Sequence, residues 1–301
     1  MKRSFGQQIR SALGVRLGVF DQHSPVPLDA LNLQVEIPCL EDLPGIAAVT
    51  PSFNQVEFVS RTVASVLSQN VRSLEYIVQD GMSTDGTTEI LTGFSGRLKV
   101  FSEKDRGQAD AINKGFSRTE APIMAWLNSD DVWLPGALKR VAATFAARPD
   151  IDVLYGDRLI IDEHDNVIGA WVLPYHDETV VRIVDYIPQE TLFWRRSAWE
   201  RAGGYIDVNF DFALDWEFIL RLLKTGSRFA HIPVFLGAFR CHQAQKTSTQ
   251  FETRGREEVA KLRQVYNRDG FLMKKTAHAR FLAAHRNAHS SAWASVSKRV
   301  V

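Results

Sequence analysis

Two cysteines in 301 residues, Cys39 and Cys241, are too few and too far apart for a disulfide framework or a zinc site built on paired thiolates. A reducing compartment, the cytoplasm, is the expectation. No run of about 18 apolar residues occurs, so no spanning helix is expected. Neither sign of charge dominates. The 36 Lys and Arg against 35 Asp and Glu leave +1, which argues against bulk electrostatic capture of nucleic acid. The basic start, MKRSFGQQIRSALGVRLGVF, lacks a continuous apolar stretch and a clear cleavage site, so it does not read as a signal peptide. Ile9, Leu13 and Leu17 share one helical face there. A helix packed on the body is expected, with peripheral contact at the inner membrane face through Lys2, Arg3, Arg10 and Arg16 as the alternative.

What is present is a 45% apolar fraction, enough for a sizeable core, and a rhythm that starts late. Residues 21–45 carry repeated prolines without a lasting period and read as an extended leader. Then IAAVT (46–50), LEYIVQD (74–80), RLKVFS (97–102) and PIMAWL (122–127) read as strands. Between them, Val59, Val63, Val66 and Leu67 recur at helical spacing, and QADAINKGFSR (108–118) reads as a second helix. This alternation predicts an α/β fold with a mostly parallel sheet and helices on both faces. Past residue 150 the pattern changes to a hairpin around EHDN, a short helix in SAWERAGGY, a strong helix over 214–226 and a strand in VFLGAFR. No repeat or clear linker interrupts the chain. It reads as one globular unit: a leader, extended or amphipathic (1–45), two functional halves (46–150 and 151–250) and a charged helical region (251–301).

The stretch WLNSDDVW (126–133) sets two adjacent carboxylates between apolar runs. Water, a basic side chain or a metal ion must offset their repulsion. In an open parallel sheet, ligands bind at the carboxyl ends of the strands. Four polar clusters fall at such ends: Thr50-Pro51-Ser52-Phe53-Asn54, Asp80-Gly81, the segment after the third strand, and Asn128-Ser129-Asp130-Asp131. One Asp after a strand is ordinarily a turn former or helix cap. Acidic groups at several ends of one sheet point to a site.

The segments VTPSFNQVEFVSRTVASVLSQNVRSLEYIVQDGMSTDGTTEIL, EKDRGQADAINKGF and WLNSDDVWLPGAL resemble family 2 glycosyltransferases of the GT-A fold. IPQETLFWRRSAWERAGGYIDVNFDFALDWEFILRLL and FRCHQAQKTS resemble the acceptor half of the same family, so the likeness covers roughly residues 46–250. It implies transfer of a sugar from a UDP-sugar to a saccharide or lipid-linked acceptor hydroxyl, with inversion, in surface polysaccharide or glycoconjugate assembly. It also implies a divalent ion, Mn²⁺ or Mg²⁺. Such an ion takes oxygen ligands and offsets the charge of the departing diphosphate.

By this resemblance Asp130 is the metal ligand, Asp131 its support or a water-mediated ligand, and His242 a further ligand that Lys246 joins near the diphosphate. Asn128 stands where the family commonly has an acid; it can still bond the ribose. Asp80 would accept the imide N–H of uracil, or simply hold the turn before Gly81. Thr50, Pro51, Ser52 and Ser129 would lie along the nucleotide. Arg106, Gly107 and Gln108 would approach base and phosphate. Asp110 and Asn113, three apart on a helix, would reach sugar or ribose hydroxyls. Asp85 is assigned to turn chemistry. Asp215, near a helix start that favours its ionised form, matches the family's general base. Glu217 competes for that role but points about 200° away around the helix. Gln189 and Glu190 fall on the acceptor side, and Trp194, Trp199 and Trp216 are candidates to stack on sugars.

Two other readings remain. A sugar-1-phosphate nucleotidyltransferase would want a basic Gly-rich loop after the first strand, which TPSFNQ lacks. A catalytically silent sugar-nucleotide binding module would keep Asp80 and Asp130 but not need Asp215.

Overall fold

A computed structural model describes residues 12, 14–31, 33, 42–246, 250–266 and 271–297. The N-terminal face proposed around Ile9 and Leu13, the basic Lys2, Arg3 and Arg10, and Cys39 lie outside the described residues. Leu17 is buried against the body, and the Arg16 amide donates to His285 Nε2 at 3.1 Å. Among the described residues no helix is long and apolar enough to cross a membrane.

A short strand β1 (Val26–Pro27) precedes β2 (Ile46–Ser52), which is buried throughout. There follow α1 (Val59–Leu67), β3 (Leu74–Asp80), α2 (Thr87–Thr92), β4 (Lys99–Ser102), α3 (Gln108–Phe116), β5 (Ile123–Trp126), β6 (Val132–Trp133) and α4 (Ala137–Ala147). The second half holds β7 (Val153–Ile161), β8 (Asn166–Trp171), α5 (Glu178–Val181), β9 (Phe193–Arg195), α6 (Arg196–Arg201), α7 (Leu214–Lys224) and β10 (Phe229–Arg240). A π-helical turn, Phe251–Gly255, leads into α8 (Arg256–Tyr266), and α9 (Phe271–Ser297) follows.

One ten-stranded sheet runs β1-β8-β7-β9-β5-β2-β3-β4, with β10 paired to β7 and β6. The central strands β5, β2, β3 and β4 are parallel, as the strand–helix alternation requires. The 151–250 half mixes the two modes: β7 pairs antiparallel with β8 and β9 but parallel with β10. Alternate residues of β2 feed separate cores. Ile46 and Ala48 pack with Val59, Val63 and Val66 of α1, whereas Ala47 and Val49 pack with Ile112 and Phe116 of α3. The pleat's period of two therefore buries both faces of the sheet under helices. The hairpin around residues 162–165 and the helix over 214–224 form where the sequence pattern sets them. Leu214, Trp216, Phe218, Ile219, Leu220, Leu222 and Leu223 are all buried, each contributing about 1.5–3 kcal/mol. This fixes α7, and with it Asp215, against the sheet.

Candidate active site

The carboxyl ends of the parallel strands open into a basin of about 720 Å³. Pro51, Ser52, Gly107, Gln108, Asn128, Ser129, Asp130, Asp131, His242 and Lys246 line it together, drawn from five separate stretches of chain. Asp130 faces it: its Oδ2 lies 3.0 Å from His242 Nε2, and its side chain keeps 21% exposure. Asp131 does not present a free carboxylate. It is 1% exposed, its Oδ1 accepts from the Arg240 amide at 2.9 Å, and its Oδ2 accepts from Asn128 Nδ2 at 3.3 Å. Burial first, and the Asp130 charge second, push its pKa well above the usual carboxylate range. A cap role for the acidic pair is excluded, because α4 starts after Gly136. Asp130 and Asp131 thus divide the work: one faces the ligand space, the other ties the β5–β6 turn to β10.

The donor set bears on a metal. Among the described residues no group of three His, Cys, Asp or Glu could hold an ion alone. Asp130 with His242 would supply two donor atoms, and a divalent ion of this kind is commonly completed by phosphate oxygens and water. The residues present fit an ion that arrives with a diphosphate.

Several expected contacts are absent. Asp80 is fully buried; its carboxylate accepts from Ser83 N at 3.0 Å, Ser83 Oγ at 2.5 Å and Ser102 Oγ at 2.7 Å. It holds the turn and offers no open edge to a base. The carboxylate that does line the basin there is Asp105, and a Cβ added to Gly81 would sit 2.7 Å from its Oδ2. Beside it, Phe53 is 60% exposed on the basin wall. The expectation that Arg106, Asp110 and Asn113 face the ligand is corrected: none of them lines the basin. Arg106 pairs with Asp110 at 2.9 Å, and Asn113 bonds the Ile206 backbone with both ends of its amide. The two do share a helix, but Asn113 is spent on the Ile206 backbone and Asp110 on Arg106. Thr50 is buried and bonds the Tyr76 hydroxyl at 3.1 Å. Gly107 is required by its φ of +110° rather than by close approach, since no atom lies within 4 Å of an added Cβ. Asp85 takes its turn role, accepting from Val56 N and from Thr87 N and Oγ1.

A second cleft of about 610 Å³ adjoins the first. The two share Gln108, Asn128, Asp131, Asp211, Phe239 and Lys246 as walls. A chain of contacts marks the divide: Lys246 Nζ donates to Gln108 Oε1 at 2.9 Å and Asp211 Oδ1 at 2.6 Å, and Gln108 Nε2 donates to Asn128 Oδ1 at 2.7 Å. Asp215 lines the second cleft from the first turn of α7, and burial raises its pKa. Glu217 is turned away and locked to Arg221, with Nη2 to Oε2 at 2.7 Å. Gln189 and Glu190 line this cleft as well. Glu190 is 1% exposed and grips Arg158 bidentately, with Arg158 Nε to Oε1 at 2.7 Å. Gly237 lets β10 pass this turn, since an added Cβ would meet Glu190 Cγ at 2.8 Å. Trp194 and Trp199 are corrected to core residues, whereas Trp216 lines this cleft as placed, although it is packed into the core behind the wall. Trp194 and Trp216 are 0% exposed and Trp199 is 6% exposed, and the Trp216 indole donates to Val181 O at 2.7 Å.

Sequence reasoning missed Asp105, Arg158, Asp185, Asp211 and Glu258, and gave no separate role to Phe53. Glu258 of α8 accepts from the amides of Asp211, Phe212 and Ala213 and so fixes the turn that launches α7. Asp105 and Asp211 lie inside motifs already assigned, and Asp185 stands four residues before Gln189, whereas Arg158 and Glu258 carried no such signal.

Among known proteins, the chain is 31% identical over 184 residues to the uncharacterized glycosyltransferase Rv1514c of Mycobacterium tuberculosis, covering 59% of this chain and 68% of that one. It is 37% identical over 101 residues to the putative teichuronic acid biosynthesis glycosyltransferase TuaG of Bacillus subtilis, covering 32% and 40%. Over 212 residues it is 30% identical to the O-antigen biosynthesis protein RfbC of Myxococcus xanthus, covering 68% of this chain and 16% of that one. The fold is similar to that of S. aureus TarS, solved with UDP-GlcNAc, at TM-score 0.61 and 18% identity over 80% of this chain and 72% of that one. The model of the family described as glycosyl transferase family 2 matches residues 47–205, more than half of the chain, and the chain belongs to that family.

Proposed function

We propose that the chain transfers a sugar from a UDP-sugar to an acceptor hydroxyl, with inversion, in the assembly of a surface polysaccharide or glycoconjugate. One observation carries this reading: the Asp130–His242 pair and Asp215 stand in adjoining clefts that share a wall. A diphosphate held at the first and a hydroxyl held at the second would meet at Gln108, Asn128 and Lys246. The relatives named for O-antigen and teichuronic acid biosynthesis, and the UDP and UDP-GlcNAc complexes of TarS, support the donor and the setting.

Asp130 and His242 would hold Mn²⁺ or Mg²⁺, which would supply positive charge at the departing diphosphate. Lys246 adds charge at the same wall. Phe53 offers a flat face to the base, and Asp105, rather than the buried Asp80, offers an acceptor to its imide N–H. Asp215 takes the proton from the attacking hydroxyl. A single base on the acceptor side suits one direct displacement, hence inversion.

Incubation with labelled UDP-sugars and Mn²⁺, followed by product analysis, tests the reading. Asp130→Ala is expected to abolish transfer and to weaken UDP binding in Mn²⁺ but not in EDTA. Equal UDP affinity of variant and parent in Mn²⁺ would remove the metal assignment. Binding of UDP-sugar without any turnover would favour a silent binding module, and release of diphosphate from UTP would favour a nucleotidyltransferase. UDP is expected to outcompete CDP, and Asp105→Asn to erase that preference while Asp80→Asn does not.

A further inference from the structure

Asp185 is a carboxylate that the proposed reaction does not use. It lies in the loop between α5 and the Gln189–Thr191 turn, is exposed, and lines the 610 Å³ cleft with Asp215. The same cleft holds an independent sign of a missing ligand. Gln189 is 7% exposed, its Nε2 donates to Trp126 O at 2.9 Å, and its Oε1 has no hydrogen-bond partner. Buried polar atoms are rarely left unpaired in native proteins.

These groups specify a chemistry. Asp185, Asp215 and Gln189 Oε1 all accept hydrogen bonds, so they suit a ligand that presents several donors. Hydroxyls do this; ionised phosphate and carboxylate groups do not, and the cleft's Arg158, Lys246 and Arg256 are already paired with Glu190, Asp211 and Glu252. Phe239, Trp171 and Val184 complete the wall with apolar surface, which suits the C–H faces of a pyranose.

We propose that Asp185 is a specificity-determining residue that binds a second hydroxyl of a neutral sugar acceptor, next to the hydroxyl whose proton Asp215 takes. This rests on the reading of the cleft as the acceptor side. Asp185 selects an acceptor with a free neighbouring hydroxyl and orients it, and takes no proton itself.

The test is binding, read without turnover. Methyl glycosides of common hexopyranoses and their monodeoxy forms are titrated into the full chain, with and without UDP and Mg²⁺, by saturation-transfer NMR. At least one glycoside is expected to bind, and Asp185→Ala to weaken it about tenfold or more, the size of a hydrogen bond to a charged group. Asp185→Asn keeps an accepting oxygen but not the charge, and is expected to bind between the parent and Asp185→Ala. The monodeoxy glycoside lacking the contacted hydroxyl should bind the parent about as weakly as the full glycoside binds Asp185→Ala. UDP affinity and melting temperature should not change in either variant, which separates contact from misfolding. Equal glycoside affinity in parent and Asp185→Ala overturns the proposal, as does a parent that binds no glycoside. Asp185→Asn that binds glycoside normally yet loses transfer by a hundredfold also overturns it, because Asp185 is then the base. A parent that binds glycosides through Asp185 but turns over no nucleotide sugar removes the proposed function and leaves this site standing.

Discussion

The two halves of the sheet solve the problem of placing charge in different ways. In the 46–150 half, apart from the Asp130–Asp131 turn that bonds His242 and Arg240, polar groups at strand and helix ends are held by near neighbours. Asp80 bonds Ser83, Asp85 bonds Thr87, and Arg106 bonds Asp110. In the 151–266 half, charges are buried and their partners are remote in sequence: Arg158 meets Glu190, and Glu258 reaches the 211–213 turn. Local pairs hold a loop whatever the rest of the chain does. Remote pairs make the second cleft depend on the complete fold.

The sharpest way to break this contrast is to cut one remote pair. Arg158→Met leaves Glu190 buried and uncompensated, which should cost about 3–5 kcal/mol and lower the melting temperature by many degrees. Combining Arg158→Met with Glu190→Leu is expected to recover most of that loss in the same thermal scan. Asp215→Asn comes next. It should retain UDP-sugar binding within a few-fold but lose transfer by at least about two orders of magnitude, while Glu217→Gln changes transfer much less. Near-parent transfer by Asp215→Asn would move the base elsewhere.

The pH profile extends that test. Burial raises the Asp215 pKa, and a base works only when ionised, so activity should fall as pH drops through a value above the ordinary carboxylate range. An acidic limb near pH 4, the unperturbed carboxylate value, would contradict the assignment. Glu258→Ala removes the acceptor for three backbone amides. A loss of about 1–3 kcal/mol is expected by chemical denaturation, with transfer falling more than UDP binding. The smallest effect belongs to the local side. Asp85→Ala removes a turn acceptor and should cost about 0.5–2 kcal/mol, leaving acceptor binding unchanged.

The same contrast explains what was legible in the sequence. Strands 46–52 and 74–80, the helix over 108–116 and the Asn128–Asp131 turn were readable because periodicity and turn chemistry are local. The convergence of Asp130 with His242, 112 residues apart, followed only from family resemblance. Asp80 misled because a strand-end carboxylate looks the same in sequence whether it faces a ligand or its own turn. Trp194 and Trp199 misled because an aromatic in a site motif can equally serve as core. Arg158 and Glu258 gave no local signal: what matters about them is a partner that only the tertiary fold supplies.

The grip of Glu258 on the start of α7 also has a consequence during synthesis. Chains emerge from the N-terminus, and folding tends to follow that order. The parallel strands around β2 can close once β5 has been made. The turn at Asp211–Ala213 must wait for Glu258, 47 residues beyond Asp211, to leave the ribosome. The basin waits too, because His242 and Lys246 belong to its wall, so both clefts are completed by the last stretch of chain. Under the proposed function, an unfinished polypeptide therefore has neither a complete donor basin nor a fixed Asp215, and no half-built chain can catch a sugar nucleotide and waste it by hydrolysis.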